Sequence, residues 1–199
     1  MNVVAGARGT RDRLLAAARE LIEEGGYASA PVAAIAERAG VAAGTLYRHF
    51  PSKAELFLEV FRVVCAGEER AMSSAADAVG AEAGAVGRLE AVLTTFAERA
   101  LRNPRLAWTL LAEPVDQLVD AERLAYRERY AAVVARELRA AIEAGEIPDQ
   151  DATFTAAALV GGCGEALVGP LSPLASSRPA AEEVVGAIRA FVHRAIGAA

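Results

Sequence analysis

Two cationic side chains in the N-terminal part of the sequence, Arg48 and Lys53, have chemistry suited to a nucleic acid. An arginine guanidinium can donate two parallel hydrogen bonds to the edge of a guanine. Ser52 and Glu55 form a capping box, which predicts that a long helix begins here with Lys53 in its first turn. Because the first amides of a helix have no partner within it, this lysine places a cation and free N–H groups where a phosphate would lie.

Catalytic and metal-binding patterns are sparse. The sequence has no G-x-S-x-G or H-E-x-x-H motif and only two histidines. Cys65 and Cys163 belong to no C-x-x-C pair, so we predict no disulfide scaffold, no metal site and no cofactor. The glycine-rich segment 161–164 lacks the lysine and the preceding strand of a phosphate-binding loop. An enzyme is therefore the least favoured class.

The elements that must position Arg48 and Lys53 are predicted to be short helices. The chain is rich in alanine and only 6% aromatic, a composition that favours helices packed through small residues. Apolar periodicity predicts helices over about 10–24, 31–39 and 43–49, with a tight turn between the last two. Four residues are spaced to form the apolar seam of a helix-turn-helix: Ile35, Ala39, Val41 and Leu46. Any small helical bundle needs such turns and such a seam, so the spacing alone leaves both interpretations open.

The remaining residues predict six more helices and no strand with alternating polarity, giving an all-α fold of about nine helices. Thr10 is the expected N-cap of the first helix, and Asp120 that of a long seventh helix. The eighth helix is expected to close at Gly169-Pro170, and Pro179 to lie in the first turn of the ninth.

One stretch of sequence resembles the signature of the TetR family. It comprises Ile35-Ala36-Glu37-Arg38-Ala39-Gly40-Val41, then Gly44-Thr45-Leu46-Tyr47-Arg48-His49-Phe50-Pro51-Ser52-Lys53 and Glu55-Leu56, preceded by Gly25-Gly26-Tyr27. The resemblance covers about residues 9–60. It implies a three-helix helix-turn-helix DNA-binding domain over 1–60 and a larger helical ligand-binding and dimerisation domain over 61–199. It further implies a homodimeric transcriptional repressor that binds a palindromic operator in double-stranded DNA and is released by an unidentified small-molecule inducer.

The resemblance also implies roles for single residues. Tyr47 and Lys53 would clamp phosphates on either side of the major groove, Thr45 and His49 would assist, and Arg48 would face base edges. His49 has an equal alternative, a hydrogen bond inside the bundle, and Phe50 is expected to pack the helices together. The sequence departs from the family pattern at Ala42-Ala43, where a hydroxyl residue and a long polar residue are common. Base reading would then depend on Thr45, Arg48 and the methyl group of Ala43 against thymine.

The body of the chain is expected to hold the dimer interface and the ligand pocket. The eighth helix is rich in small residues and the ninth has a wide apolar face, and in a TetR-like protein the two pair with their symmetry mates. The predicted interface residues are Gly161, Gly162, Val185, Ile188, Phe191 and Val192, with a buried intrachain core as the alternative. The predicted ligand-binding residues are Trp108, Glu113, Gln117, Tyr126 and Tyr130, which supply aromatic walls and polar anchors, although they also suit ordinary packing. We expect an apolar or aromatic inducer with few charges.

Charge and hydropathy place further bounds on function. Residues 1–62 hold eight Lys/Arg against seven Asp/Glu and the rest 13 against 19, so a nearly neutral head precedes an acidic body in a chain of net charge −5. This balance neither supports nor excludes nucleic acid. No signal peptide and no apolar run approaching 20 residues is evident, so we expect a cytoplasmic protein without a membrane span. A helical adaptor that binds protein and not DNA is the main alternative.

Overall fold

The computed structural model of the protein describes residues 9–198, which form helices joined by turns with no strand among them. The helices are α1 (Thr10–Gly25), α2 (Val32–Arg38), α3 (Ala43–His49), α4 (Lys53–Ala78), α5 (Gly84–Arg102), α6 (Pro104–Leu111), α7 (Gln117–Glu143), α8 (Ala152–Leu171) and α9 (Ala181–Ile196), with a 3₁₀ turn at Ala81–Ala83. The all-α prediction is confirmed. The predicted domain ranges include residues 1–8 and 199, which lie outside the described part, and their division at residue 60 falls within α4.

The first three helices pack on one another, and α1 also packs on α4. Leu14, Ile35, Leu46 and Phe50 are almost completely buried and form the centre of this unit. The turn between α2 and α3 depends on Gly40, whose φ of +67° is rarely adopted by residues with a side chain. The Val41 amide then donates to the Ala36 carbonyl at 2.9 Å, which fixes the angle between the two helices.

The start of α4 carries the predicted cap. The Ser52 hydroxyl oxygen accepts a hydrogen bond from the Glu55 amide at 3.1 Å. Pro51 lies between α3 and this cap, and the chain bends at Pro51 and Ser52, so α3 does not continue into α4. From here α4 runs for 26 residues out of the small N-terminal unit and packs against α5 and α7.

The body is a layered helical bundle. α7 packs against α8, α5 packs against α4 and α7, and α9 packs against α5 and α8. The short helix α6 begins with an Asn103 cap and Pro104, and it lies between α1 of the N-terminal unit and α8 of the body. α6 is therefore an element of the body in direct contact with the helix-turn-helix.

Several predicted helix ends are wrong by a few residues. Thr10 is the first helical residue of α1, and its N-cap is Gly9. Asp116, not Asp120, caps α7, because its carboxylate accepts from the Leu118 amide at 3.0 Å. α8 continues through Gly169-Pro170 to Leu171, and α9 begins at Ala181, two residues after Pro179. These shifts do not change the order of the helices.

α8 passes the length and hydropathy test for a membrane-crossing helix, with a mean hydropathy of 1.4. Composition alone does not distinguish such a helix from one in the core of a water-soluble protein. One face of α8 packs on α5, α6, α7 and α9. Only 28% of the most apolar 18-residue stretch of this helix is buried within the chain. The unburied part is an outward apolar face.

Candidate nucleic-acid interface and ligand cavity

One face of α3 is exposed and carries most of the predicted DNA contacts. Leu46 anchors the helix with no exposed surface, while the side chain of Tyr47 is 53% exposed and Arg48 and His49 also face solvent. The Arg48 guanidinium donates to the Thr45 hydroxyl oxygen at 3.1 Å, so these two side chains lie together on the surface. Ala43 and Gly44 leave the beginning of the helix without bulk. The structure thus places five predicted residues on the solvent-facing side of α3, from its first residue to its last: Ala43, Thr45, Tyr47, Arg48 and His49.

Lys53 lies in a different environment. Its ammonium group donates to the Tyr27 carbonyl oxygen at 2.7 Å and sits 3.9 Å from the centre of the Tyr27 ring. Burial lowers the pKa of Lys53, and the Glu113 carboxylate partly opposes this shift. The side chain therefore connects α4 to the α1–α2 turn, and its position differs from a lysine extended toward a phosphate.

A polar junction joins α6 to the same turn. The Arg105 guanidinium donates to the Gly25 carbonyl oxygen at 2.6 Å, and the Tyr27 amide donates to the Glu113 carboxylate at 3.3 Å. The Thr109 hydroxyl donates to that carboxylate at 2.5 Å. We call Gly25, Tyr27, Lys53, Arg105 and Glu113 the α6 junction. It makes Glu113 a link between the body and the helix-turn-helix.

The body contains a cavity of about 560 Å³, within the usual size range of small-molecule sites. Its wall is apolar and comes mainly from α4, α5, α6 and α7, with half-buried Phe96 beside the buried residues Phe61, Val64, Leu106, Leu110, Tyr126 and Tyr130. The exposed residues that line it come from α1, α5, α7 and α8, among them Arg19, Arg102, Arg127 and Glu165. The cavity thus has an apolar floor and a charged mouth.

Three buried polar groups in the cavity wall, two hydroxyls and a thiol, are unreactive at neutral pH. The Tyr126 hydroxyl donates to the Arg62 carbonyl oxygen and the Tyr130 hydroxyl to the Cys65 carbonyl oxygen, both at 3.1 Å. Burial raises the pKa of both tyrosines, and it raises the pKa of the Cys65 thiol to about 12. A thiol with so high a pKa is a poor nucleophile at neutral pH. Cys65 therefore contributes to the cavity wall by packing and not by reactivity. No group of side chains suited to a metal ion occurs among residues 9–198.

Two of the five predicted ligand-binding residues, Tyr126 and Tyr130, line the cavity. Trp108, Glu113 and Gln117 do not: Trp108 is half-buried on another side of α6, Glu113 belongs to the α6 junction, and Gln117 is exposed at the start of α7. The sequence reasoning missed Phe61 and Phe96. The apolar periodicity of α4 and α5 predicts that these two side chains lie on buried helix faces. It does not predict which helices surround a cavity.

Three of the six predicted interface residues do not lie on the surface of the chain. Val185, Ile188 and Val192 are buried within one chain, so they belong to the intrachain core that was the alternative. Gly161 lines the cavity mouth, and a Cβ atom on Gly162 would lie 3.2 Å from the Phe191 ring of the same chain. A side chain at Gly162 would therefore disturb the packing of α8 on α9 directly.

The outward faces of α8 and α9 carry other apolar residues. Phe154 is 73% exposed and Phe191 is 41% exposed. Between the two helices runs an apolar groove lined by Gly162, Ala166, Pro170, Ala187 and Phe191, among others. Exposed aromatic and small residues on adjoining helices are typical of an interface between protein chains. We call this surface the α8–α9 outer face.

Comparisons with known proteins agree with these features. Residues 14–60 match the model of the bacterial regulatory proteins of the tetR family. The repressor KstR of Rhodococcus jostii is 52% identical over 48 residues, which are 24% of this chain and 23% of that protein. The transcriptional regulator UidR of Escherichia coli K12 is 29% identical over 164 residues, 80% of each chain. The match to KstR thus spans less than a quarter of that relative.

The fold of the whole chain is similar to that of a solved regulator. The crystal structure of FadR from Bacillus subtilis in complex with stearoyl-CoA has a TM-score of 0.74 and 20% identity, over 93% of this chain and 97% of that chain. At this identity the likeness concerns the fold. It includes the body, for which the sequence showed no subfamily signature.

Proposed function

The chain belongs to the TetR family of bacterial regulatory proteins, and on this premise we propose that it is a ligand-responsive transcriptional repressor that binds operator DNA as a homodimer. The observation that carries the proposal is the exposed face of α3, where Thr45, Tyr47 and Arg48 project from a helix fixed by buried Leu46. A helix presented in this way fits the major groove, where side chains on its exposed face contact base edges.

Within this proposal the residues of α3 have distinct roles. Arg48 reads a guanine, and Thr45 supports it by holding the guanidinium. Tyr47 and His49 bind phosphates, and the methyl group of Ala43 packs on a thymine. Lys53 takes a different role from the one implied by the family resemblance, because its ammonium is bonded to the Tyr27 carbonyl. We assign it to the positioning of α4 against the α1–α2 turn.

The homodimer is proposed to form through the α8–α9 outer face. A palindromic operator needs two linked recognition helices, and a twofold axis pairs the same surface of each chain with itself. The outer face is apolar and carries exposed Phe154 and Phe191, which favours burial against a second copy. Phe191 remains a proposed interface residue, and Val185, Ile188 and Val192 support the face from beneath.

The cavity is proposed to bind the inducer, with Tyr126 and Tyr130 in its wall. Support comes from its size and apolar floor, and from the FadR structure of the same fold, which was determined with stearoyl-CoA. KstR and UidR are regulators, and we propose that this chain likewise performs no catalysis and acts in the cytoplasm. We also propose that the chain does not cross a membrane, because the apolar face of α8 is buried against the second chain of the dimer.

Selection from a library of random-sequence DNA duplexes tests this function and identifies the operator in the same experiment. The expected result is enrichment of an inverted repeat. The centres of its half-sites should be separated by about one helical turn, 10–10.5 base pairs, or by a multiple of that distance. A protein adaptor without DNA binding would enrich no sequence. That outcome would reject the proposed function.

A further inference from the structure

The mouth of the cavity concentrates positive charge in an acidic body. Five arginines contribute to the lining, Arg19, Arg99, Arg102, Arg123 and Arg127, against two glutamates, Glu68 and Glu165. Residues 63–199 as a whole hold 13 Lys/Arg and 19 Asp/Glu. Even without Arg19, which lies in α1, four arginines face two glutamates in this lining, so its charge is opposite to that of the surrounding domain.

These guanidinium groups differ in how far they are already engaged. Arg99 is paired with Glu68 through two hydrogen bonds of 2.5 and 2.9 Å, and Arg123 donates to the Leu110, Thr109 and Glu113 carbonyl oxygens at the end of α6. Arg102, by contrast, makes one long contact of 3.4 Å to a backbone carbonyl within its own helix. Arg127 makes no hydrogen bond or ion pair to any residue that the structure describes.

Arg102 and Arg127 are therefore available to an anion at the mouth. They approach the cavity from α5 and α7, so a bound anion would lie between two helices of the body. A carboxylate or phosphate between two guanidinium groups gains charge-assisted hydrogen bonds, which are stronger than bonds between neutral groups.

The floor of the cavity, in contrast, favours an apolar group. The hydroxyl hydrogens of Tyr126 and Tyr130 are already donated to backbone carbonyls, and the rest of the buried wall is aliphatic or aromatic apart from the unreactive Cys65 thiol. No buried side-chain nitrogen or oxygen of residues 9–198 lacks a hydrogen-bond partner. A polar group placed there would lose its bonds to water without gaining new ones, which is costly.

We propose that the ligand is an amphipathic anion, whose apolar chain or ring system fills the floor and whose anionic end binds Arg102 and Arg127. This inference rests on the proposed function, which supplies the reason for a ligand, and it names the chemical class. It revises the expectation of an inducer with few charges anchored by Glu113, since Glu113 lies outside the cavity and has the wrong sign for such a head group.

Calorimetric titration with three probes of equal chain length separates the head group from the tail. The probes are decanoate and decyltrimethylammonium, each below its micelle concentration, and decan-1-ol below its solubility limit. We expect decanoate to bind about tenfold or more tightly than the alcohol, and the cation to bind most weakly. Equal affinities, tighter binding of the cation or alcohol, or no binding of decanoate would overturn the proposal.

Variants locate the two ends of the ligand. Arg102→Gln with Arg127→Gln should remove the preference for decanoate over decan-1-ol, whereas Arg139→Gln with Arg194→Gln, exposed arginines away from the cavity, should retain it. Gly164→Leu should weaken all three probes, because a Cβ atom there meets no atom within 4 Å and the side chain would extend into the cavity space. Unchanged preference in the Arg102/Arg127 variant would contradict the assigned head-group site.

DNA binding by the same proteins separates this inference from the proposed function. Without a probe, the unmodified protein and all three variants should bind the selected operator with similar affinity. Failure of the unmodified protein to bind any selected DNA would refute the proposed function, whereas normal DNA binding without head-group discrimination would refute only the ligand class.

Discussion

At the scale of single residues, Arg48 is the long donor on the exposed face of α3. Arg48→Ala should weaken binding to the selected operator by about 1–3 kcal/mol, or roughly fivefold to 150-fold, because the guanine loses two hydrogen bonds. A competition assay with operators altered at one base pair should also show relaxed preference at the position that Arg48 reads. The matched control is Arg139→Ala on exposed α7. Equal losses in both variants would remove Arg48 from base reading.

A substitution of Lys53 distinguishes the role seen in the structure, a hydrogen bond to the Tyr27 carbonyl, from the role implied by the family resemblance, a phosphate contact. If its ammonium mainly holds the Tyr27 carbonyl, Lys53→Met should lower the thermal midpoint by a few degrees, since a hydrogen bond from a charged group contributes about 1.5–3 kcal/mol. The dependence of DNA affinity on salt should stay the same. A phosphate contact predicts the reverse: an unchanged midpoint and a salt slope smaller by about one unit.

At the scale of helices, α6 is placed to transmit the state of the cavity. Leu106 and Leu110 line the cavity, while Arg105 and Glu113 bond the α1–α2 turn. A ligand changes DNA affinity only through its different affinity for two arrangements of the chain, and the coupling is typically about 1–3 kcal/mol. The α6 junction is the contact through which we expect α6 to bias the DNA-binding heads.

Glu113→Ala should therefore uncouple the two sites. Ligand affinity and DNA affinity measured separately should change by less than about threefold, while the loss of DNA affinity caused by a saturating ligand should shrink severalfold. Trp108, the one tryptophan of the chain and a residue of α6, gives a fluorescence signal for movement of this helix. Glu128→Ala on the exposed side of α7 is the control. Full release of DNA by the ligand in Glu113→Ala would disprove the role of the junction.

The beginning of α5 provides a pH-dependent contact. The Glu146 carboxylate accepts hydrogen bonds from the Ala85 and Val86 amides at 3.0 and 2.8 Å, and Gly84 leaves the space for this approach. The bonds from the Val86 and Ala85 amides lower the pKa of Glu146, while burial acts in the opposite direction. Because the pKa is lower in the folded state, the contact stabilises the protein above the ordinary glutamate pKa of about 4.3 and loses its effect as the pH falls below it.

Glu146→Gln should accordingly reduce the difference between the free energies of unfolding at pH 7 and at low pH. Urea titrations at fixed protein concentration measure this difference, with Glu143→Gln, an exposed residue of α7, as the control. An identical pH dependence in the unmodified protein and in Glu146→Gln would show that the contact contributes nothing measurable.

The sequence predicted some of these elements closely because the signals were local. α3 has the predicted bounds, and the Ser52 cap forms as expected, since both depend on residues within one or two turns. α7 was harder, because Asp116 and Asp120 can each cap a helix and only the path of the preceding loop selects between them. The walls of the cavity depend on how six helices pack against one another. No local pattern gives that packing, so Tyr126 was found and Phe61 was missed.

At the scale of the whole molecule, two chains must pair for a palindromic site to be bound. Ala187→Glu places a carboxylate in the apolar groove of the α8–α9 outer face without touching the buried Ile188 beside it. We expect it to convert the dimer to a monomer in sedimentation experiments at micromolar concentration, because an unpaired charge in an apolar interface is costly. Ala121→Glu, exposed on α7, should remain dimeric. A monomeric unmodified protein would contradict the paired arrangement.

The measurement that tests the central claim most directly is the affinity of the unmodified protein for its selected operator and for a scrambled duplex over a series of salt concentrations. We expect two chains per operator, affinity that falls linearly with the logarithm of salt concentration, and a preference for the operator of at least about 10³-fold throughout. Equal affinity for the two duplexes, or binding that does not respond to salt, would contradict a sequence-specific DNA-binding function.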